Sequence, residues 1–313
     1  MTQRNPGDRI TVVGNVNLDV LVADAAELPA PGTERVVPSI VLRPGGSAAN
    51  TALALARLGR STVLAGRVGD DGTAELLTGQ LDLPGLRLEL VRAPGEPTGV
   101  TVAAEAPGRD RSFLSALGAM AGLQEAAVPA ESLAARFVLL SGYFLLPGLR
   151  GEAARELLAR ARRAGARTAL DTGWDPAGWS AGTRAEVLEL LGGVDVFLPN
   201  ADELRALHGD DRCADEDAAR AVADRTGATV VVKRGALGAL VARPGQRTTA
   251  HPAPEVRVRD STGAGDAFNA GLLHRLADGA DLADAAGYAV RVAATVIVRP
   301  SHDRAFTPED VPT

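Results

Sequence analysis

The segment DSTGAGDAFNAG (260–271) joins small residues, an acid and a helical apolar pattern. Three large apolar side chains recur at intervals of four residues and predict a helix with one apolar face: Phe268, Leu272 and Leu276. Gly263, Ala264 and Gly265 would then stand where a loop becomes the first turn of that helix. Unpaired N–H groups and the positive end of the helix dipole point outward there, and glycine lets an anion approach the backbone. The segment therefore predicts a phosphate site.

Asp266 falls in the first turn of this predicted helix. A carboxylate beside an anion site would repel a triphosphate, which suggests that it has a chemical task. Removing the proton from an attacking hydroxyl group is such a task, and it accelerates a reaction about 10²–10⁴-fold. The backbone amides of residues 263–266 would form an anion hole for the transferred phosphoryl group. The alternative is that Asp266 only complements the helix dipole; the flanking glycines favour the catalytic interpretation.

Two common nucleotide-binding patterns do not occur in the sequence. No GxxxxGK[ST] is present, which argues against a P-loop enzyme. The first predicted strand ends at Gly14 and is followed by Asn15, Val16 and Asn17 rather than by GxGxxG. This argues against a nicotinamide-dependent dehydrogenase.

Short apolar runs alternate with helical patterns along most of the chain. The runs are typical of strands covered on both faces of a parallel sheet: 10–14, 62–66, 137–141, 168–171, 194–198 and 229–233. The helical patterns cover 47–58, 152–164, 183–191, 201–207, 215–226, 264–277 and 281–296. Ser47 is the expected N-cap of the first helix, and Gly59 its end. The alternation predicts a doubly wound α/β fold.

Two stretches, about 17–42 and 97–116, show an alternating pattern with no helix between the strands. They predict antiparallel strands outside the main sheet. Such strands could form a small lid over the active site or an edge that pairs with a second subunit in a homodimer, and ordinary hairpins are the simpler alternative. We expect residues 1–313 to form a single domain from which this lid projects.

The overall composition limits the classes of partner. The 313 residues carry a formal net charge of −6, so a nucleic-acid partner is not expected. The polar N-terminus and the absence of any apolar run of membrane-spanning length predict no membrane partner and a cytoplasmic location. The single cysteine, Cys213, excludes an internal disulfide.

Several further motifs stand in a fixed order along the chain: GNVNLD (14–19), PGGSAANTALALARLG (44–59), GRVGDDGTAE (66–75), NADE (200–203), VVVKRGALGAL (230–240) and DSTGAGDAF (260–268). This ordered set resembles the ribokinase family, also called the PfkB carbohydrate kinases, over nearly the whole chain. The resemblance implies a ribokinase-like three-layer α/β/α sandwich with a small β-strand lid. It also implies an ATP-dependent phosphotransferase that uses Mg²⁺ and phosphorylates a hydroxyl group of a sugar or sugar-like small molecule.

The resemblance assigns substrate contacts to two of these motifs. Asn17 and Asp19 would hydrogen-bond hydroxyl groups of the substrate, and Gly45, Gly46 and Asn50 would hold the sugar from the start of the next helix. A hydroxylated ligand needs such convergent polar groups because each missing contact leaves a buried group without a partner.

The remaining motifs would serve the nucleotide and its ions. Asn200 and Glu203 would organise Mg²⁺ and phosphate, Glu203 through metal-bound water; a simple Asn N-cap with an acidic first turn is the alternative. Four residues complete this part of the site: Lys233 and Gly235 beside the nucleotide phosphates, and Asp260 and Thr262 at a monovalent cation such as K⁺. Lys233 is the only lysine, and its retention by chance is an equal alternative.

Two other functions remain open at this stage. A nucleoside kinase of the same family would need an apolar slot for the base, for which four residues are candidates: Val100, Phe113, Tyr143 and Phe144. A non-catalytic ligand-binding protein on the same fold is the second alternative. The sequence departs from the family in SGYFLLP (141–147), which has no acid, and in VIVRPSHDRA (296–305), which lacks Gly-Ala and leaves potassium dependence open.

Overall fold

A computed structural model describes residues 8–25, 27, 29–106, 109–300 and 303–312. The strands of this part of the chain are β1 (Ile10–Gly14), β2 (Asn17–Val22), β3 (Ile40–Gly45), β4 (Thr62–Gly69), β5 (Leu86–Ala93), β6 (Val100–Ala106), β7 (Arg109–Ala116), β8 (Phe137–Ser141), β9 (Arg167–Asp171), β10 (Val196–Phe197), β11 (Thr229–Lys233), β12 (Ala239–Ala242) and β13 (Thr249–His251). The α-helices are α1 (Ser47–Arg57), α2 (Gly72–Gln80), α3 (Ala130–Leu133), α4 (Glu152–Arg163), α5 (Ala181–Leu191), α6 (Ala201–His208), α7 (Asp215–Thr226), α8 (Ala264–Ala277) and α9 (Leu282–Ile297).

Nine strands form the central sheet in the order β13-β12-β11-β10-β9-β8-β1-β4-β5. The strands from β11 to β5 in this order pair in parallel, and β12 and β13 extend the sheet by antiparallel pairing. All six runs predicted as strands lie in this sheet, where apolar side chains point to both faces. Because the strands are parallel, their carboxyl ends meet at one edge of the sheet, which is where open α/β sheets bind ligands.

A separate apolar core lies on each face of the central sheet. On one face, side chains of β1 such as Ile10 and Val12 pack with α1, α8 and α9. On the other face, Val13 of the same strand packs with side chains from α4, α5, α6 and α7. Successive residues of a strand therefore serve opposite cores, as the pleat requires. The predicted three-layer α/β/α sandwich is confirmed.

The lid is a second sheet of four strands in the order β3-β2-β6-β7. The prediction that it is wholly antiparallel is wrong, because β2 and β6 pair in parallel, with Asp19 beside Thr101. β2–β3 and β6–β7 are antiparallel. The parallel pair arises because a long part of the chain, including α1 and α2, separates β2 from β6, and such a connection allows the second strand to run in the same direction.

Element bounds agree with the sequence patterns to within a few residues, with one correction at α1. Ser47 is the first residue of the helix rather than its N-cap; Gly46 holds the cap position and makes no side-chain hydrogen bond there. Gly46 has φ of 92°, and a Cβ atom at this position would lie 2.3 Å from the backbone oxygen of Asn15. The close approach of two backbones, rather than side-chain capping, decides how α1 begins. Among the described residues, no helix has the length and apolarity needed to cross a membrane.

Candidate active site

The candidate site lies at the edge of the central sheet where the parallel strands end. Asp171 ends β9 and Lys233 ends β11. Asn200, at the start of α6, forms a β-bridge with Lys233, which brings the NADE motif to the same edge. The loop after β1 leads directly into β2, so the lid begins beside the same strand ends.

The predicted substrate residues of β2 and the start of α1 are in contact. Asn17 and Asp19 are buried, and Asn17 Nδ2 donates to Asp19 Oδ1 at 2.9 Å. The Asp19 carboxylate lies against Gly45, where a Cβ atom would be 1.9 Å from Oδ1, and a Cβ atom at Gly46 would lie 2.9 Å from Asn17 Oδ1. Both glycines are therefore needed for the polar side chains of β2 to fit.

A row of polar groups continues across the inner face of the lid. Asn17 Nδ2 also donates to the Thr101 hydroxyl at 3.2 Å, and this hydroxyl lies 2.9 Å from the Ser115 hydroxyl. Asp19, Thr101 and Ser115 share one face because they are paired across β2, β6 and β7. Thr101 and Ser115 extend the set of groups that could contact a hydroxylated ligand.

The first turn of α8 has the free amides that an anion hole needs. Gly263 is its N-cap, with φ of 74°. Within the described residues, the N–H groups of Gly263, Gly265 and Asp266 have no acceptor, and the first bond toward the helix is donated by Ala267 to the Gly263 oxygen at 2.9 Å. Ala264 differs from the expectation, because its N–H donates to the Ser261 oxygen at 3.1 Å and closes the turn. The predicted anion hole would therefore have three free amides rather than four.

Asp266 lies among these amides and faces the substrate residues. Its Oδ2 would be 3.8 Å from a Cβ atom at Gly263. Burial raises the pKa of the Asp266 carboxyl group to about 7; the negative charge of Asp171 adds to this, whereas Lys233 and a hydrogen bond with Asn50 act in the opposite direction. The charge of Asp19 also raises this pKa. A carboxyl group with a pKa near neutrality can accept a proton and return it to water at physiological pH.

Lys233 is bound by acids of the protein. Its Nζ lies 3.0 Å from Asp171 Oδ2 and 3.4 Å from Asn269 Oδ1, and Asn269 Nδ2 donates to the same Asp171 oxygen. A Cβ atom at Gly265 would lie 3.5 Å from this Nζ, so the ammonium group borders the first turn of α8. Burial lowers the pKa of Lys233, but Asp171, Glu203 and Asp266 raise it by more, and the ammonium form is retained.

Asn200 and Glu203 form a complete capping box at the start of α6. The Glu203 N–H donates to Asn200 Oδ1 at 2.8 Å, and the Asn200 N–H donates to Glu203 Oε2 at 2.9 Å. The simple capping interpretation therefore describes their local geometry. Glu203 is nevertheless buried at the site, and burial raises its pKa to about 7 against the opposing effect of Lys233.

The expected cation residues, Asp260 and Thr262, lie in the turn before α8 and contact two arginines. Thr262 N–H donates to Asp260 Oδ1 at 2.9 Å. Arg304 forms an ion pair with the Asp260 carboxylate and donates to the backbone oxygens of Thr262 and Asp260, the latter at 3.2 Å. Arg43 of β3 lies 3.7 Å from Asp260 Oδ2.

The apolar slot considered for a nucleobase does not form from the aromatic residues proposed for it. Tyr143 and Phe144 are buried in the core on the second face of the central sheet, in edge contact with each other. Tyr143 donates its hydroxyl hydrogen to Glu186, and Phe144 packs on Trp179. Both rings are occupied by packing, so this part of the prediction is wrong. Phe113 lies on the lid and is 57% exposed.

Three residues of the site had no assigned role from the sequence. The sequence did indicate a site position for Asp171, because this residue ends a predicted strand at the sheet edge where ligands bind. Asn269 lies one helical turn after Gly265, but nothing in the sequence indicates its partner. Arg304 is remote in sequence from Asp260, and only the fold brings the two together. Gly235, expected at the nucleotide, is exposed in the turn after β11.

The described residues contain no group of three or more acidic, histidine or cysteine side chains arranged to hold a metal ion. Glu203 is the carboxylate that could hold a magnesium ion through metal-bound water, since Mg²⁺ retains most of its water and is commonly held by one or two carboxylates together with substrate phosphates.

Comparison with known proteins shows the family of the chain. Residues 8–308 match the pfkB family carbohydrate kinase profile. The chain is 32% identical over 287 residues to a 1-phosphofructokinase of Rhodobacter capsulatus, covering 88% of this chain and 86% of the relative. It is 33% identical over 281 residues to an ATP-dependent ribose-1-phosphate kinase of Halopiger xanaduensis, with coverage of 90% and 89%.

A solved structure supports the same assignment. The Arabidopsis thaliana ribokinase complexed with ribose and ATP superimposes with a TM-score of 0.79 at 25% identity, covering 98% of this chain and 96% of that one. Sequence and fold therefore agree over nearly the full length. The chain belongs to the pfkB family of carbohydrate kinases, phosphotransferases with an alcohol group as acceptor.

Proposed function

We propose that the protein transfers the γ-phosphoryl group of ATP to a hydroxyl group of a sugar, with Asp266 as the general base. The observation that carries this proposal is the position of the Asp266 carboxylate. It lies beside the free amides at the start of α8, and Asn50, on the substrate side, is near enough to lower its pKa. A general base must lie within hydrogen-bond reach of the acceptor hydroxyl group, whose oxygen must in turn face the phosphorus, and a carboxylate between the substrate residues and the amides meets this requirement.

In the proposed reaction, Asn17, Asp19 and Asn50 orient the sugar. Asp266 takes the proton of the acceptor hydroxyl group as its oxygen forms a bond to the γ-phosphorus. The bond between that phosphorus and the bridging oxygen of ADP breaks at the same centre, and the electron pair leaves with ADP. The amides of Gly263, Gly265 and Asp266 stabilise the negative charge of the phosphoryl oxygens.

The nucleotide would approach from the side of α6 and β11. Glu203 and Asn200 would hold Mg²⁺ through its bound water, and the ion would neutralise charge on the ATP phosphates. The Lys233 ammonium group borders the amides of the anion site and also contacts the Asp171 carboxylate. Its charge would therefore both balance the buried acids and attract the phosphates.

Sugars are favoured over nucleosides as substrates. The lid presents a row of polar groups over the site, whereas Tyr143 and Phe144 are packed in the core and cannot contact a base. The two relatives described above are named for phosphorylated sugars, so fructose 1-phosphate and ribose 1-phosphate belong in the substrate panel with ribose, fructose and adenosine.

The test is ADP release with ATP, Mg²⁺ and each member of this panel. We expect turnover with at least one sugar or sugar phosphate, and a fall in kcat on the order of 10²–10⁴ in Asp266→Asn. Isothermal calorimetry with ATP should show that this variant still binds nucleotide. An unchanged kcat in Asp266→Asn would refute the assignment of the base. Ligand-induced stabilisation without turnover of any substrate would instead support a binding protein.

We also infer that two copies associate through the outer face of the lid. Four apolar side chains lie in one row across that sheet, on the face opposite Asp19 and Thr101: Leu42, Val20, Val102 and Leu114. Leu42 is 46% exposed and Leu114 is 67% exposed, and burial of such a row against a second copy would remove apolar area from water. Sedimentation equilibrium should show a dimer that Leu114→Lys weakens. A wild-type monomer at micromolar concentration would contradict the inference.

A further inference from the structure

The turn of residues 260–263 immediately precedes the anion-binding amides of α8. Asp260 is 3% exposed, and its carboxylate accepts a hydrogen bond from the Thr262 N–H, which holds the turn in shape. The backbone oxygens of Asp260 and Thr262 point to the same side as the carboxylate, because all three contact one guanidinium group. A carboxylate with two backbone oxygens is the type of ligand set that suits a hard cation.

The Arg304 side chain already occupies this ligand set. Its guanidinium group donates to both backbone oxygens and forms an ion pair with the Asp260 carboxylate, and the side chain is only 13% exposed. Arg43 brings a second positive charge to 3.7 Å from Asp260 Oδ2. A potassium ion at this point would have to displace one guanidinium group and approach another of the same charge. The residues present therefore do not fit the monovalent cation that Asp260 and Thr262 were expected to bind.

We propose that Arg304 is a positioning residue that takes the place of a potassium ion and orders the anion site. A Cβ atom at Gly263 would lie 3.3 Å from Arg304 Nη1, so the guanidinium group lies against the N-cap of α8. The backbone oxygen of Arg304 accepts from Arg57 Nη1 at 2.9 Å, at the end of α1. Arg304 thus joins the helix that carries Asn50 to the turn that leads to Asp266.

A guanidinium group suits this task because its N–H donors lie in a fixed plane and its charge is permanent. A bound ion can dissociate, whereas a side chain of the protein cannot. The inference rests on the proposed function, because the turn matters for catalysis only if the amides of α8 bind the transferred phosphoryl group. The protein should consequently phosphorylate its substrate without a requirement for potassium.

The test compares wild type, Arg304→Ala and Arg299→Ala in tetramethylammonium, sodium and potassium chloride at one ionic strength. Arg299 is the matched control, because it is an arginine of the same segment whose partner, Asp310, lies at 3.1 Å outside the site. We expect wild type and Arg299→Ala to show the same kcat in all three salts. Arg304→Ala should lose kcat on the order of 10–100-fold, because a displaced anion site misaligns the reacting groups. Its sugar KM should change less, and added potassium or guanidinium ions should restore part of its kcat.

Thermal unfolding without nucleotide gives a second readout that does not depend on activity. Wild type should unfold at the same temperature in potassium and tetramethylammonium chloride, whereas Arg304→Ala should be stabilised by potassium. Potassium activation or potassium-specific stabilisation of the wild type would overturn the proposal, as would an unaltered kcat in Arg304→Ala.

If Arg304→Ala does not fold, Arg304→Lys retains a charge without the planar donors and should show intermediate kcat. Loss of turnover in the wild type with every substrate would contradict the proposed function instead, and the unfolding experiment would still test Arg304.

Discussion

The Asp266 carboxylate is expected to reduce the stability of the ligand-free protein at the pH at which it acts. Its pKa is raised from the ordinary 3.8 to about 7, because burial and Asp171 disfavour the charged form. The folded protein therefore binds this proton more tightly than the unfolded chain does. The stability contributed by the proton is fully present below about pH 4 and is lost as the pH rises through about 7.

The size of the effect follows from the difference between the two pKa values. One pKa unit corresponds to about 1.4 kcal/mol, so the raised pKa corresponds to at most about 4 kcal/mol. Asp266 is partly exposed, and solvent screening reduces this figure to on the order of 1–3 kcal/mol. Asparagine has a similar shape and no charge, so Asp266→Asn should be more stable than the wild type above neutral pH although it loses most of its kcat.

Urea unfolding followed by circular dichroism at pH 5, 6, 7 and 8 measures this difference. The control is Asp202→Asn, which changes an aspartate in the first turn of α6 whose side chain is 74% exposed. The advantage of Asp266→Asn should grow with pH and level off above about 7, whereas the control should stay within about 0.5 kcal/mol of wild type. Two outcomes would refute the reasoning. One is that Asp266→Asn unfolds at the same urea concentration as wild type, or a lower one, at pH 8. The other is that the difference in unfolding free energy between this variant and wild type does not vary with pH.

Three other outcomes are expected. The wild-type kcat/KM should rise with pH and level off above about 7, since the base acts when deprotonated; a profile flat from pH 5 to 8 would contradict this. Lys233→Met should lower the free energy of unfolding by about 3 kcal/mol, because it leaves Asp171 as a buried charge without its partner. The midpoint of the pH profile of kcat/KM should also rise in this variant. Unchanged urea unfolding would exclude the ion pair as a stabilising contact. Asp19→Ala should raise the KM of the sugar with little effect on the KM of ATP, and the reverse pattern in initial-rate kinetics would show that Asp19 does not bind the sugar.

Much of the central sheet could be predicted from the sequence because each element carries its own local signal. The runs 137–141 and 229–233 coincide with β8 and β11, and 264–277 and 215–226 coincide with α8 and α7. Buried parallel strands read as continuous apolar runs, and helices show a period near four, so the neighbours in sequence suffice. The start of α1 was misassigned because the contact that decides it, between Gly46 and the Asn15 backbone, is not local.

The sequence by itself determined which residues could do the chemistry: small residues and an acid at a helix start, and an ordered set of motifs that identified the family. Tertiary structure alone decided what surrounds them. The parallel pairing of β2 with β6, the ion pair of Lys233 with Asp171 and the contact of Arg304 with Asp260 join residues far apart in the chain. No local pattern encodes such partners, because the distance between two side chains depends on how the layers pack. The pKa of Asp266 belongs to the same class, since burial and neighbouring charges exist only once the chain has folded.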